Sequence, residues 1–171
     1  NFIPTTGSTG KRHDRLDLNL AALDVAVPPE PVGFNLSLVH GTGAQVVHLG
    51  EPQGDFHADH VAYVDSIYRA SVLATFPVGR GLTVEAGIFP SHLGLESFYS
   101  KDNANYTRGW LGELSPYYLA GVQAIYPFTE HVTAKALVLN GWQIVGENNS
   151  AKSVGSSLAF TSKVFGVSLN T

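Results

Sequence analysis

Residues 115–142, SPYYLAGVQAIYPFTEHVTAKALVLNGW, hold two apolar runs joined by the polar corner PFTEH. On the first run Tyr118, Ala120, Val122, Ala124 and Tyr126 share one parity, while Tyr117, Leu119, Gly121, Gln123 and Ile125 share the other. After the corner, Val132, Ala134, Ala136 and Val138 alternate with Thr133, Lys135, Leu137 and Leu139. A period of two marks a strand with one apolar face. That alternation fits a soluble sandwich as well as a membrane wall, since either hides one face. The rest of the chain must say what the face meets.

The 171 residues suffice for one domain, 1–171, with a core of its own. Lys+Arg 10 against Asp+Glu 14 gives a net charge of −4, which leaves no basic surface for nucleic acid. Only 14% of residues are charged, low for a soluble domain, and 18 glycines with many Tyr and Phe suit an all-β chain. No apolar run approaches the ~18–20 residues of a spanning helix. The lack of Cys excludes disulfides and thiolate metal sites. With no Met, and no charged-then-apolar leader after Asn1, the chain reads as a piece of something longer.

Strand and turn signals predict about eight strands, near 16–27, 33–41, 60–76, 82–90, 116–127, 131–144, 153–162 and 164–171. No capped amphipathic helix is expected. The connections alternate in length: short VPPEPVG, long GTGAQVVHLGEPQGDFHAD, short PVGRG, long SHLGLESFYSKDNANYTRGWLGELS, short PFTEH, intermediate VGENNSAK, tight SK. Tight turns therefore gather at one end of the sheet and long loops at the other. Up-and-down barrels of outer membranes are built this way, whereas a Greek-key sandwich has no need of it.

Aromatic residues mark the ends of the apolar parity. Tyr118 and Tyr126 stand eight residues apart, as do Tyr68 and Phe76, and Ala70, Val72 and Ala74 lie between the second pair. Eight steps of ~3.3 Å at a tilt of ~40° rise about 20 Å, close to the ~25 Å apolar band between aromatic girdles. Trp142 and Phe160 join the same parity, so the expected lipid-facing girdle is Tyr68, Phe76, Tyr118, Tyr126, Trp142 and Phe160. The opposite parity carries Arg69, Thr75, Glu85, Gln123, Thr133 and Lys135, the expected pore-lining residues, with Ser71, Thr83, Ser157 and Ser168. Charges of both signs in mid-strand require water or counter-charges inside. The first strand is less regular, because Leu16, Leu18 and Leu20 give way to Leu23, Val25 and Val27; a bulge near Ala21–Ala22 would account for the slip.

Other features have plainer readings. His57 and His60 flank Asp59, with His40 and His48 nearby, but the spacing matches no metal signature and solvated loop histidines are commoner. Ser91 and His92 are adjacent, and neighbours on a strand point apart, so no catalytic pair and no catalytic residue is expected. Asn105-Tyr106-Thr107 matches a glycosylation sequon by chance, and Gly41-Thr42-Gly43 lacks the strand–helix setting of a phosphate loop. The loop bearing Phe98, Tyr99, Tyr106 and Trp110 is either a plain external loop or a constriction folded inward.

Three segments resemble the OmpL-like β-barrel porins of Gram-negative outer membranes: FPVGRGLTVEAGIFPSHLGLES, Asn105-Tyr106-Thr107-Arg108, and the pair ending Asn140-Gly141-Trp142. The resemblance covers roughly residues 60–150. It implies an all-β, antiparallel, up-and-down transmembrane barrel of more than eight strands, of which this chain supplies about eight. It also implies an outer-membrane porin without cofactor or metal, surrounded by the lipid bilayer and passing small hydrophilic solutes or ions. The resemblance also allows a homo-oligomer or an outer-membrane complex, although no subunit interface shows in the sequence. The alternative is a structural or anchoring barrel with a blocked lumen, dependent on a partner. Barrels of this kind commonly end on an aromatic residue, and Ser168-Leu169-Asn170-Thr171 does not.

Overall fold

The computed structural model describes Asp14 and residues 16–49, 65–146, 150–162 and 165–171. Eight strands follow one another: β1 (Ala21–Val27), β2 (Val32–His40), β3 (Ile67–Phe76), β4 (Leu82–Pro90), β5 (Tyr118–Pro127), β6 (Val132–Leu139), β7 (Ser153–Thr161) and β8 (Gly166–Asn170). They form one sheet in the order β1 to β8, each strand antiparallel to its sequence neighbours. β1 and β8 are not paired with each other, so the sheet is an open stretch of barrel wall. All eight expected strands are present, several with trimmed ends. The antiparallel order puts the turns 28–31, 77–81 and 128–131 at one end and the connections 41–66, 91–117 and 140–152 at the other.

Register separates the two faces. Gln123 lies opposite Glu85 and Leu137, while Val122 lies opposite Ala86 and Val138. On the first face Ser71, Leu73, Glu85, Gln123, Leu137 and Ser157 are buried. On the second, Val72, Val122 and Val138 are 57%, 47% and 53% exposed in mid-sheet. This is the reverse of a soluble sheet, which hides its valines and wets its carboxylates.

The sheet curls toward its polar face. Glycine at 155 leaves room on that face for His92, whose Cε1 would sit 3.3 Å from a Cβ there. His92 Nε2 also lies 3.3 Å from the Thr171 carbonyl oxygen. His92 follows β4, and three to four strands of a flat sheet would span about 14–19 Å. Curvature of the sheet toward this face brings these groups together. Gly87 and Gly121, opposite each other on β4 and β5, have φ of 125° and 156°. A Cβ on either would run into the neighbouring strand, against the carbonyl oxygens of Ala70 and Val138. Only glycine permits this step in the wall.

Three elements were not anticipated: α1 (Thr42–His48), α2 (Trp110–Leu114) and a 3₁₀ turn at Ser100–Asp102, all within the long connections. Neither helix has a side-chain N-cap, and both are too short to display a clear period. The slip suspected near Ala21–Ala22 is resolved differently. β1 begins at Ala21 and pairs regularly through Val27, so Leu16, Leu18 and Leu20 precede the strand. The bulge lies between β2 and β3, where Ser37 faces Arg69 but Leu38 faces Ile67, leaving Tyr68 as the extra residue.

Candidate functional site

The middle of the polar face is organised around Glu85, only 2% exposed. Its Oε1 accepts hydrogen bonds from Arg69 Nη2 at 2.9 Å and Ser71 Oγ at 2.6 Å, and its Oε2 accepts from Gln123 Nε2 at 2.7 Å. Three strands contribute: β3 gives Arg69 and Ser71 on one parity, β4 gives Glu85, and β5 gives Gln123 directly opposite it. A buried carboxylate persists only when paired and hydrogen-bonded, and here both oxygens are taken. Lys135, on β6 between Ile125 and Ser157, feels the attraction of Glu85 and the repulsion of Arg69. Nearer the turns, Thr75 Oγ1 and Thr83 Oγ1 lie 3.0 Å apart, and Thr133 occupies the same face opposite Ala159. All six residues expected along the lumen thus share one face, and Arg69, Glu85 and Gln123 form a single network. Toward the loop end that face carries an apolar patch of Phe89, Leu119, Leu137 and Leu139.

The described parts of the long connections pack at the loop end. Tyr99 donates its hydroxyl to Asp24 Oδ1 at 2.8 Å, tying the β4–β5 connection to β1 on the polar side. Burial first, then that hydrogen bond, pushes the Tyr99 hydroxyl up to about 12. α1 is held at its start by Gly43 N–H donating to the Asn19 carbonyl, and at its end by Gln143 Nε2 donating to the Val47 carbonyl. Gln143 Oε1 in turn accepts from Tyr117 N–H, so α1 connects the approach to β1 with the start of β5. His48 ring nitrogens lie 2.9 Å from the Ala44 carbonyl and 3.1 Å from the Ile67 carbonyl. From this position the His48 ring stacks on Tyr118 at 5.0 Å.

This cover corrects two girdle assignments. Tyr68 and Tyr118 are 6% and 0% exposed, members of a cluster with Val47, Phe98 and Tyr117 rather than of an open band. The bulge removes Tyr68 from the strand's alternation, and its ring lies 4.7 Å from Phe98. Tyr118 is roofed by α1. The turn end differs: Phe76 and Phe160 are exposed and Tyr126 half-buried. Phe128 and Phe165, which sequence parity missed because they lie in turns, pack on Tyr126 and Phe160 at 4.9 Å and 5.9 Å. Trp142 is exposed but stands beyond β6, in the β6–β7 connection.

The remaining candidates do not converge. Ser91 Oγ accepts from Leu93 N–H while His92 reaches toward Thr171, so the two side chains go separate ways. His57, Asp59 and His60 lie outside the described residues; His40 and His48 belong to no metal-ligating group among those described. No described helix is long and apolar enough to cross a membrane, which says nothing of strands.

A single curved antiparallel sheet, charged within and apolar without, with all its tight turns at one end, defines a β-barrel porin wall. In a comparison with protein families, residues 2–171 match the one described as "Putative beta-barrel porin-2, OmpL-like", and the chain belongs to that family. Neither the curated proteins nor the solved structures yield a match.

Proposed function

We propose that the chain forms part of the wall of an integral outer-membrane porin. Small hydrophilic solutes or ions pass by diffusion along the face that carries Arg69, Thr75, Glu85, Gln123, Thr133 and Lys135. No chemical step is assigned to it. The observation that carries this reading is the opposition within single strands, where Gln123 is 5% exposed beside a half-exposed Val122. A lipid-covered exterior and a hydrated interior satisfy both faces at once. On this reading Phe76, Tyr126 and Phe160 stand at the turn-side membrane interface, joined by Phe128 and Phe165.

A structural barrel with a closed lumen is the second reading, favoured by α1 and the 91–117 connection packing across the loop end. Single-channel conductance of the full-length parent protein in a planar bilayer separates the two. Discrete open steps whose ion preference shifts on Lys135→Glu support the porin. A sealed bilayer with demonstrably inserted protein rejects it in favour of the structural barrel.

A further inference from the structure

His92 stands two residues past the end of β4 and turns back onto the polar face, where its ring covers Gly155. Cε1 and Nε2 would lie 3.3 and 3.5 Å from a Cβ at residue 155. Gly155 faces Leu137 on β6, next to Lys135 on the same side of the sheet. Nε2 also lies 3.3 Å from the Thr171 carbonyl oxygen, which can only accept, so the neutral ring carries its proton there. Nδ1 is then bare, and it is buried with no hydrogen-bond partner. A second proton has to go to this nitrogen. Charged groups around the ring are few. β7 and β8 carry no ionisable side chain, and Lys152, just before β7, donates to Asn140 Oδ1 at 3.3 Å. Glu85, on β4, has both oxygens engaged. Glu96 and Glu113, in the same connection as His92, accept from Gly109 N–H and the Tyr117 hydroxyl. Burial lowers the ring's affinity for the second proton, the Thr171 carbonyl raises it and the Lys135 charge lowers it again, which leaves the pKa below its ordinary 6.5.

We propose that His92 is a proton-controlled determinant of ion preference, set where the loop end meets the lumen. This role rests on the porin reading. At neutral pH the ring is uncharged, and Lys135 faces passing ions without it. In acid the ring adds a positive charge on the face that solutes pass, close enough to Lys135 for the two to repel, and the pair favours anions. An Nδ1–H would find no acceptor in the closed seat, so charging also turns the ring toward lumen water. The seat depends on glycine at 155, since a side chain there would crowd the imidazole.

The test is the reversal potential of the full-length parent protein in a planar bilayer under a gradient of dilute salt, scanned from about pH 8 to about pH 4. Carboxylates titrate at the acid end in every variant, so the wild-type curve is read against that of His92→Gln. The difference is expected to show one step with its midpoint below 6.5. Across it the anion-to-cation permeability ratio should rise about twofold, as for one added charge in water. Lys135→Gln, which keeps His92, should move that midpoint to higher pH. Superposable wild-type and His92→Gln curves overturn the proposal, as does a midpoint that Lys135→Gln leaves in place. The Lys135→Gln comparison decides alone if His92→Gln does not fold. A barrel that conducts with no such step refutes the role of His92 and spares the pore; one that seals the bilayer at every pH overturns both.

Discussion

Val138→Lys asks directly what covers the exposed face. Val138 lies opposite Val122, which is four residues from Tyr126 at the turn end. Four steps of ~3.4 Å at a tilt of ~40° place it about 10 Å from that aromatic level, near the middle of a ~25 Å apolar band. Lysine at such a depth is expected to cost about 2–4 kcal/mol, roughly 30- to 900-fold in the folding equilibrium. Val132→Lys stands on the same face but opposite Phe160, at the turn end, where the cost falls to about 0–1 kcal/mol. Thr133→Lys, one residue on, turns to the polar face and is expected to cost little. The assay is denaturant-dependent folding into lipid vesicles, read by tryptophan fluorescence. In water, lysine at an exposed valine typically changes stability by no more than about 0.5 kcal/mol. Equal tolerance of Val138→Lys and Val132→Lys would therefore refute the membrane-facing assignment, whatever the conductance.

Three more outcomes are expected. Glu85→Gln leaves the Arg69 guanidinium without its counter-charge; vesicle folding should show a loss of stability of about 1–3 kcal/mol, and reversal-potential measurements a shift toward anions. Gly121→Ala forces a Cβ against the Val138 carbonyl at a φ of 156°, and the same folding assay should register about 1–3 kcal/mol. The Tyr99 hydroxyl, raised from 10.0 to about 12, keeps its proton longer when folded than when unfolded. Its contribution to the loop clasp is complete below pH 10 and lost as pH rises through 12. Difference titration of tyrosinate absorbance against Tyr99→Phe should isolate that transition, and an unchanged titration curve would rule it out.

The strands were legible in the sequence because each carries a contrast that a period of two displays directly: Gln123 beside Val122, Lys135 beside Ala136. The alternation of short and long connections then fixed the topology. What escaped was everything written between strands. α1 and α2 are too short to show a helical period. Parity placed Tyr68 and Tyr118 with the girdle because counting by twos detects neither an extra residue in a ladder nor a roof over a strand end. The same blindness hid the stacking of Arg108 on Tyr117, which the folding of the β4–β5 connection creates. Glu85, Arg69 and Gln123 were visible as a set because their neighbourhood is made by register alone.

Pairing every strand only with its sequence neighbours makes the hairpin the unit of growth. Inserting or deleting one hairpin changes a single seam: the other ladders keep their partners, tight turns remain at one rim, and long connections remain at the other. Circumference can then change two strands at a time, and bore with it, since diameter grows with strand number. Lineages that share this arrangement could reach wider or narrower bores by gene-segment duplication or loss, without rebuilding the connections at the far rim.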